Sequence, residues 1–421
     1  MHDGPRSLCW ALAWPLLLSH LRARLQDVTL GDPRFRHLDR VTYLEALPEG
    51  ELLSCSRDGT TRIWDLETGQ TRLLLDHGGR DVWNARPLPA RQEILTSDSR
   101  RMVLWNSRTG EKLREWTTEN DCLQFDLTRD GKGFVVGDAD GFLRAYRWDQ
   151  DQPYYQEKLN GKADWIYTTL ALPQRPKVLA GNKEGELFLV DLEKPSQIQT
   201  LLKELGSIPS MRISPGRDFL VVCSTEDQAV RCLDARLLME SWSRTLPRAP
   251  TVASWSPDGT RLAVSCDDSQ IYLLDAITGQ ILKTFPHPGE AHWPTAWSPD
   301  GKRIYSGGDT CIFTWEVATG RRLFPEAPPH LEKVKGLVPL SPTQLLTHGQ
   351  LGNLVLWSLA DQAPLAQLAL EEEIRAHHYD PSERSLRLVD RRDLVRQVQI
   401  HEQSLREKEG TPLKGHFFAF A

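Results

Sequence analysis

The sequence predicts an all-β fold, a single β-propeller of eight or nine four-stranded antiparallel blades, and three observations predict it. The first is a stretch at 54–69, Ser-Cys-Ser-Arg-Asp-Gly-Thr-Thr-Arg-Ile-Trp-Asp-Leu-Glu-Thr-Gly. It reads as a strand, a tight turn at Asp58-Gly59, a strand ending in Trp64-Asp65, and a second turn at Thr68-Gly69. Asp-Gly supplies the positive φ angles of a short hairpin loop, and the flanking residues are β-branched or aromatic. The second is recurrence. The position of Trp64 returns as Trp105, Trp148, Val190, Leu233, Leu274, Trp315, Trp357 and, more faintly, Ile400, at spacings of 41 to 43 residues. A fixed period in the forties marks a propeller or an array of small units. The third is the turn Trp-Ser-Pro-Asp-Gly at 255–259 and again at 297–301, whose Pro and Gly suit a tight connection between first and second strands.

Taken in order, residues 1–29 are an N-terminal segment whose apolar run, 8–18, is too short to span a bilayer as a helix and has the length of a signal-peptide core behind Arg6. Export to a periplasmic or extracellular space is the expectation, with an N-terminal helix in a cytoplasmic protein as the alternative. Residues 30–400 read as one propeller domain. Its units fall at about 38–77, 78–118, 119–160, 161–204, 205–247, 248–288, 289–330 and 331–371, followed by a degraded ninth set at 374–400. The segment at about 30–36 is placed as the strand that completes the blade begun by the C-terminal strands. Residues 401–421 form a tail or an extra strand.

A ring of blades grows without needing a new core, so 421 residues fit one domain, and 40% hydrophobic content with 14 Trp supplies its interior. The net charge of −6, with both signs interspersed, argues against nucleic acid as a partner. No membrane span is expected, and the chain is expected to be a monomer. The seven cysteines fall in no metal or haem spacing. Cys223 and Cys232 flank the turn at Asp227-Gln228 and count out as directly opposite, either as a cross-strand disulfide or as two packed thiols.

The segments Arg-Ile-Trp-Asp-Leu-Glu-Thr-Gly at 62–69 and Val-Leu-Trp-Asn-Ser-Arg-Thr-Gly at 103–110, with the two Trp-Ser-Pro-Asp-Gly turns, resemble WD-repeat β-propellers. The resemblance covers residues 38–371 well and 372–400 weakly. It implies a fold of four-stranded blades and a scaffold for protein or peptide partners. Units four to six carry Val190-Asp191, Leu233-Asp234 and Leu274-Asp275 where Trp-Asp stands in the family, and the family's Gly-His survives only as a lone His37 or His77. The family's buried Asp–His–Ser/Thr–Trp hydrogen-bond relay is therefore expected to give way to apolar packing between blades.

No phosphate-binding glycine loop, HExxH, GxSxG or calcium loop occurs, so the expectation is a protein that is not an enzyme, without cofactor or metal site. The alternatives are an exported quinoprotein-type propeller, since Trp105 to Trp116 through Thr109-Gly110 resembles that family's tryptophan-docking motif, or a segment of a larger multidomain WD-repeat protein. The candidate partner-binding residues are Arg40, Tyr43, Arg80, Trp83, Trp165, His292 and Trp293. They lie where first strands begin, and an aromatic beside a cation is the composition of binding hot spots.

Overall fold

A computed structural model describes residues 34–161, 164–173, 176–194, 197–288, 294–324, 334–341, 343–349, 352–358, 363–370, 374–380, 383–390, 394–401 and 404–412. They form nine four-stranded antiparallel sheets, each in simple sequential strand order. The chain divides into two compact units, residues 34–326 and a second whose described residues run from 334 to 412. The first unit holds seven sheets, at 41–76, 84–117, 122–158, 166–202, 210–245, 250–286 and 295–324, called blades one to seven below. The second unit holds two, at 334–369 and 374–412. The tail supplies Leu405–Pro412, paired with Leu394–Ile400 as the fourth strand of the last sheet.

Burial falls from the middle of a blade to its outer edge, which is what stacking sheets face to face requires. In blade one, Glu51–Ser56 is buried on both faces past its first residue, whereas the outer strand Thr71–Asp76 buries only Leu75. Each blade hides what its neighbour exposes. Leu53, Cys55, Ile63 and Leu75 of blade one form one apolar cluster with Ile94, Val103 and Trp105 of blade two. The hairpin at Asp58-Gly59 requires glycine twice over: Gly59 sits at φ +81°, and a Cβ there would lie 2.7 Å from the Gly79 backbone.

The ring of the first unit shuts between blades seven and one. The inner strand Val41–Leu47 packs against Thr295–Trp297 and Arg303–Gly307. Val41 N–H donates to the Gly308 carbonyl at 2.9 Å, and Phe35, Val41, Leu44 and Trp64 share a core with Ala296, Tyr305 and Ile312. Arg36 makes an isolated antiparallel bridge to Cys311, and Ile312 N–H donates to the Phe35 carbonyl at 3.0 Å. The described end of the segment expected to finish a blade with the C-terminal strands thus joins blade seven.

Strand register corrects three further expectations. In the third unit Tyr146, opposite Phe134, fills the slot of Trp64 opposite Leu52, and Trp148 lies two residues beyond. In the last sheet Val398, opposite Leu386, stands in the same relation, two residues before Ile400. Cys223 and Cys232 are not opposite each other. Cys223 faces Val230 and Cys232 faces Val221, and both are free, buried thiols. The four-residue turn between Ser224 and Ala229 offsets the count across the hairpin.

The hydrogen-bond relay is present after all. In blade one the Trp64 indole N–H donates to Ser54 Oγ at 2.7 Å, Ser54 Oγ meets His37 Nε2 at 2.7 Å, and His37 Nδ1 meets Asp58 Oδ2 at 2.9 Å. Burial, reinforced by the Arg62 charge and opposed by Asp58, holds the His37 pKa below its ordinary value. A neutral ring with its proton on Nδ1 satisfies every partner: Ser54 donates to Nε2 and Nδ1–H donates to Asp58. Blade two repeats the ends of the chain, with His77 Nδ1 2.9 Å from Asp98 Oδ2 and Trp105 Nε1 donating to Thr96 Oγ1 at 2.8 Å. The two histidines sit in connections before their blades, so the Gly-His spelling is dispensable while the imidazole is kept.

Candidate partner-binding face and channel

In each blade of the ring the first strand is innermost, and successive first strands pack side by side around a channel. The connections entering these strands share a face with the turns between second and third strands, as backbone bonds show: Arg57 N–H to the Arg40 carbonyl, Lys183 N–H to that of Trp165, and Asp267 N–H to that of Ala249, at 2.9, 2.9 and 3.1 Å.

At the mouth, first strands carry one extra residue. The register breaks between Val41 and Tyr43, between Ile166 and Thr168, and between Pro250 and Val252. Thr42, Tyr167 and Thr251 are the inserted residues, and such a bulge re-aims a side chain. Trp83, Leu123 and Pro209 hold the corresponding place after the buried Val82, Cys122 and Ile208. Blades two to five therefore present Trp83, Leu123, Tyr167 and Pro209, all half-buried, at one level of the rim. The inserted residue is the signal a count along the strand does not show: it places Tyr167, two residues after the expected Trp165, among these four.

The candidate residues distribute as follows. Trp83 lies under the Arg57 guanidinium, 5.8 Å from its ring centroid, and donates from Nε1 to Ser99 Oγ at 3.4 Å. Arg57 is tied by Nε to Asp81 Oδ2 at 2.8 Å, so blades one and two build this patch jointly. Arg80 is exposed beside it, and Arg40 is half-buried at the entry to blade one. Trp165 and Tyr167 are half-buried with ring centroids 6.2 Å apart. His292 and Trp293 lie outside the described residues.

Tyr43 is different, being buried within the channel wall. Its hydroxyl donates to Glu45 Oε2 and accepts from Arg86 Nη1, with the Arg86 guanidinium 5.4 Å over its ring. Arg86 Nε reaches Asp126 Oδ1 at 3.4 Å. Asp126 is itself fixed, accepting from Leu127 N–H and Ala171 N–H, both at 2.9 Å. Register places Glu45, Arg86, Asp126 and Arg212 at one level of blades one, two, three and five, opposite Leu53, Leu95, Val135 and Val221. Burial raises the Tyr43 pKa well above its ordinary value, so the phenol stays protonated. This wall is a network of fixed charges crossing blades.

Two further bonds cross blades here. Trp255 Nε1 donates to the Arg212 carbonyl at 3.1 Å and Trp297 Nε1 to that of Ser254 at 3.2 Å. The Trp of each Trp-Ser-Pro-Asp-Gly turn thus pins its blade to the previous one. Within those turns Ser256 Oγ donates to Asp258 Oδ1, and Ser298 Oγ to Asp300 Oδ1, each at 2.6 Å. Among the described residues no three His, Cys, Asp or Glu side chains converge as metal ligands do, and no helix is long and apolar enough to cross a membrane.

Comparison with known proteins agrees with this geometry. The family model "WD domain, G-beta repeat" matches residues 34–65 and 279–316, the first match containing the complete relay of blade one. The model of the anaphase-promoting complex subunit 4 WD40 domain matches residues 211–295. The serine-threonine kinase receptor-associated proteins of Rattus norvegicus and Homo sapiens are each 24% identical over 275 residues, covering 64% of this chain and 76% of theirs. Protein tipD of Dictyostelium discoideum is 22% identical over 271 residues, covering 62% of this chain and 44% of its own. Repeat period, four-stranded blades, relay and matched relatives converge on one conclusion: this chain has the fold of a WD-repeat β-propeller, and the matched models and relatives support a WD-repeat family.

Proposed function

We propose that this protein is a non-catalytic scaffold that binds a protein or peptide partner through the face carrying Trp83 and Tyr167. The observation that carries the reading is the rim itself: Trp83, Leu123, Tyr167 and Pro209 are half-exposed on four successive blades. Rigid aromatics held by neighbouring blades bind with little loss of side-chain freedom. Arg57 over Trp83 adds a cation already anchored by Asp81, and Arg80 adds an exposed one. The WD-repeat relatives support a protein-interaction role. The test is affinity capture from the native host with wild type beside a Trp83→Ala, Tyr167→Ala double variant. Loss of a specific set of partners by a variant with unchanged thermal unfolding is the expected result. Recovery of the same partners at the same yield would move the binding surface elsewhere.

We also propose export, on the strength of the apolar run at 8–18. Sequencing the N-terminus of the mature protein tests it, and a start at Met1 in the native host overturns it.

A further inference from the structure

We propose that the channel wall at Arg212 is a binding site for an oxyanion, a carboxylate or a phosphate group, gripped by the Arg212 guanidinium. The argument is an accounting of donors and acceptors. A guanidinium carries five N–H donors in a planar fork. The bond that Arg212 makes within the protein runs from Nη1 to its neighbour's Met211 carbonyl at 2.9 Å. Among the described residues no carboxylate lies within ion-pair distance of it.

The acids nearby are already committed. Asp126 takes two backbone N–H groups and Arg86, and Glu45 takes the Tyr43 hydroxyl and lies 3.9 Å from Arg86 Nη1. Arg212 also stands within electrostatic reach of Arg86, so a second cation opposes it. Burial and that repulsion lower its pKa against the weaker pull of Tyr43, Asp126 and Glu45, the condition that an arriving anion relieves. A carboxylate or phosphate oxygen pair matches the unused edge of the guanidinium as a bidentate partner. The channel supplies the route, since Arg212 lies on an innermost strand, Ser210–Ile213.

The experiment follows thermal unfolding of the full chain while inorganic phosphate, or separately citrate, is titrated at ionic strength held constant with sodium chloride. A saturable rise in melting temperature with at least one of them is expected for wild type. Phosphate alone identifies a phosphoryl group, citrate alone a carboxylate, and either supports the site. In Arg212→Gln the apparent affinity falls by about tenfold or more, the loss expected for one charge-assisted pair. Lys177→Gln, which removes a cation on a strand of blade four away from this wall, keeps the wild-type response. Should Arg212→Gln fail to fold, Arg212→Lys keeps the charge but not the fork, and a weakened response with native circular dichroism serves instead. No response in wild type to either anion, or an equal response in the Arg212 variant, overturns the proposal.

Discussion

Blades one and three meet the same requirement with different chemistry. Each buries a carboxylate at the hairpin between its second and third strands, and a buried carboxylate must be hydrogen-bonded or paired. Blade one brings a neutral imidazole from the preceding connection, His37, to Asp58 and passes the remaining bond through Ser54 to Trp64. Blade three has Arg144 on its own third strand against Asp138, with side chains 3% and 1% exposed. Arg144 also reaches Gln156 on the fourth strand at 3.1 Å, and Asp138 accepts the backbone N–H groups of Asp140 and Phe142 at 3.0 and 2.9 Å. The relay links a blade to the connection that precedes it. The ion pair itself forms within one sheet, and the preceding connection only adds to it, with Glu119 3.4 Å from Arg144 and Asn120 donating to Asp138 at 3.3 Å. Sequence drift between repeats is thus tolerated so long as the hairpin carboxylate keeps a donor.

The largest expected effect breaks blade three. Asp138→Leu leaves the buried Arg144 with only the exposed Glu119 as counter-charge and costs about 3–5 kcal/mol, whereas Asp138→Leu with Arg144→Met recovers most of the loss. Urea unfolding of the three proteins measures this. If the single variant is as stable as the double, the pair contributes no such dependence and the two hairpins are not equivalent solutions.

A smaller effect is expected from the relay, because its members are neutral apart from Asp58. Ser54→Ala strands the Trp64 N–H and the His37 Nε2 together, at about 1–3 kcal/mol. Thr96→Val in blade two strands the Trp105 N–H in the same way, and its cost should be at or below that of Ser54→Ala. A Ser54→Ala protein with wild-type unfolding would mean that apolar packing alone holds Trp64, as the reduced Gly-His spelling had suggested.

The same contrast explains what could be read in advance. Period, turn chemistry and alternating strands fixed nearly every element: the expected units at 38–77 and 248–288 enclose the observed sheets at 41–76 and 250–286. These signals are local and repeat many times. The misreadings came where residues inserted or deleted change register. A two-residue slip exchanged Tyr146 for Trp148, and a longer turn moved Cys232 off Cys223. The relay was hidden because His37 and His77 lie outside the sheets they serve. Channel residues were least legible of all. Glu45, Arg86, Asp126 and Arg212 share a level only once the ring has aligned inner strands about forty residues apart, and nothing in the neighbourhood of any one of them announces the others.

The smallest effect separates the two solutions by pH. His37 is held below its ordinary pKa chiefly by burial, and His287, packed against Phe313 with centroids 4.9 Å apart, is pushed by burial to about 3. The unfolded chain takes up protons near the ordinary histidine value of 6.5 while the folded imidazoles resist. More protons bound by the unfolded state means that stability falls as pH falls, beginning below that value. His287, so held, contributes about 1 kcal/mol of loss between pH 7.5 and 6, and His37 adds to it in the same direction. Asp58, held low by its bonds from His37 and Thr60 against the cost of burial, adds a loss only in the acid range of carboxylates, below 3.8. The Arg144–Asp138 pair contains no imidazole to add to this loss. Urea unfolding at pH 7.5 and 6 should therefore show a decrease in wild type that shrinks by about 1 kcal/mol in His287→Gln. In the Asp138→Leu, Arg144→Met protein the decrease should be unchanged. A wild-type stability that is flat over this range would mean that the folded imidazoles protonate as freely as the unfolded ones, and the neutral His37 on which the relay's bond directions rest would be wrong.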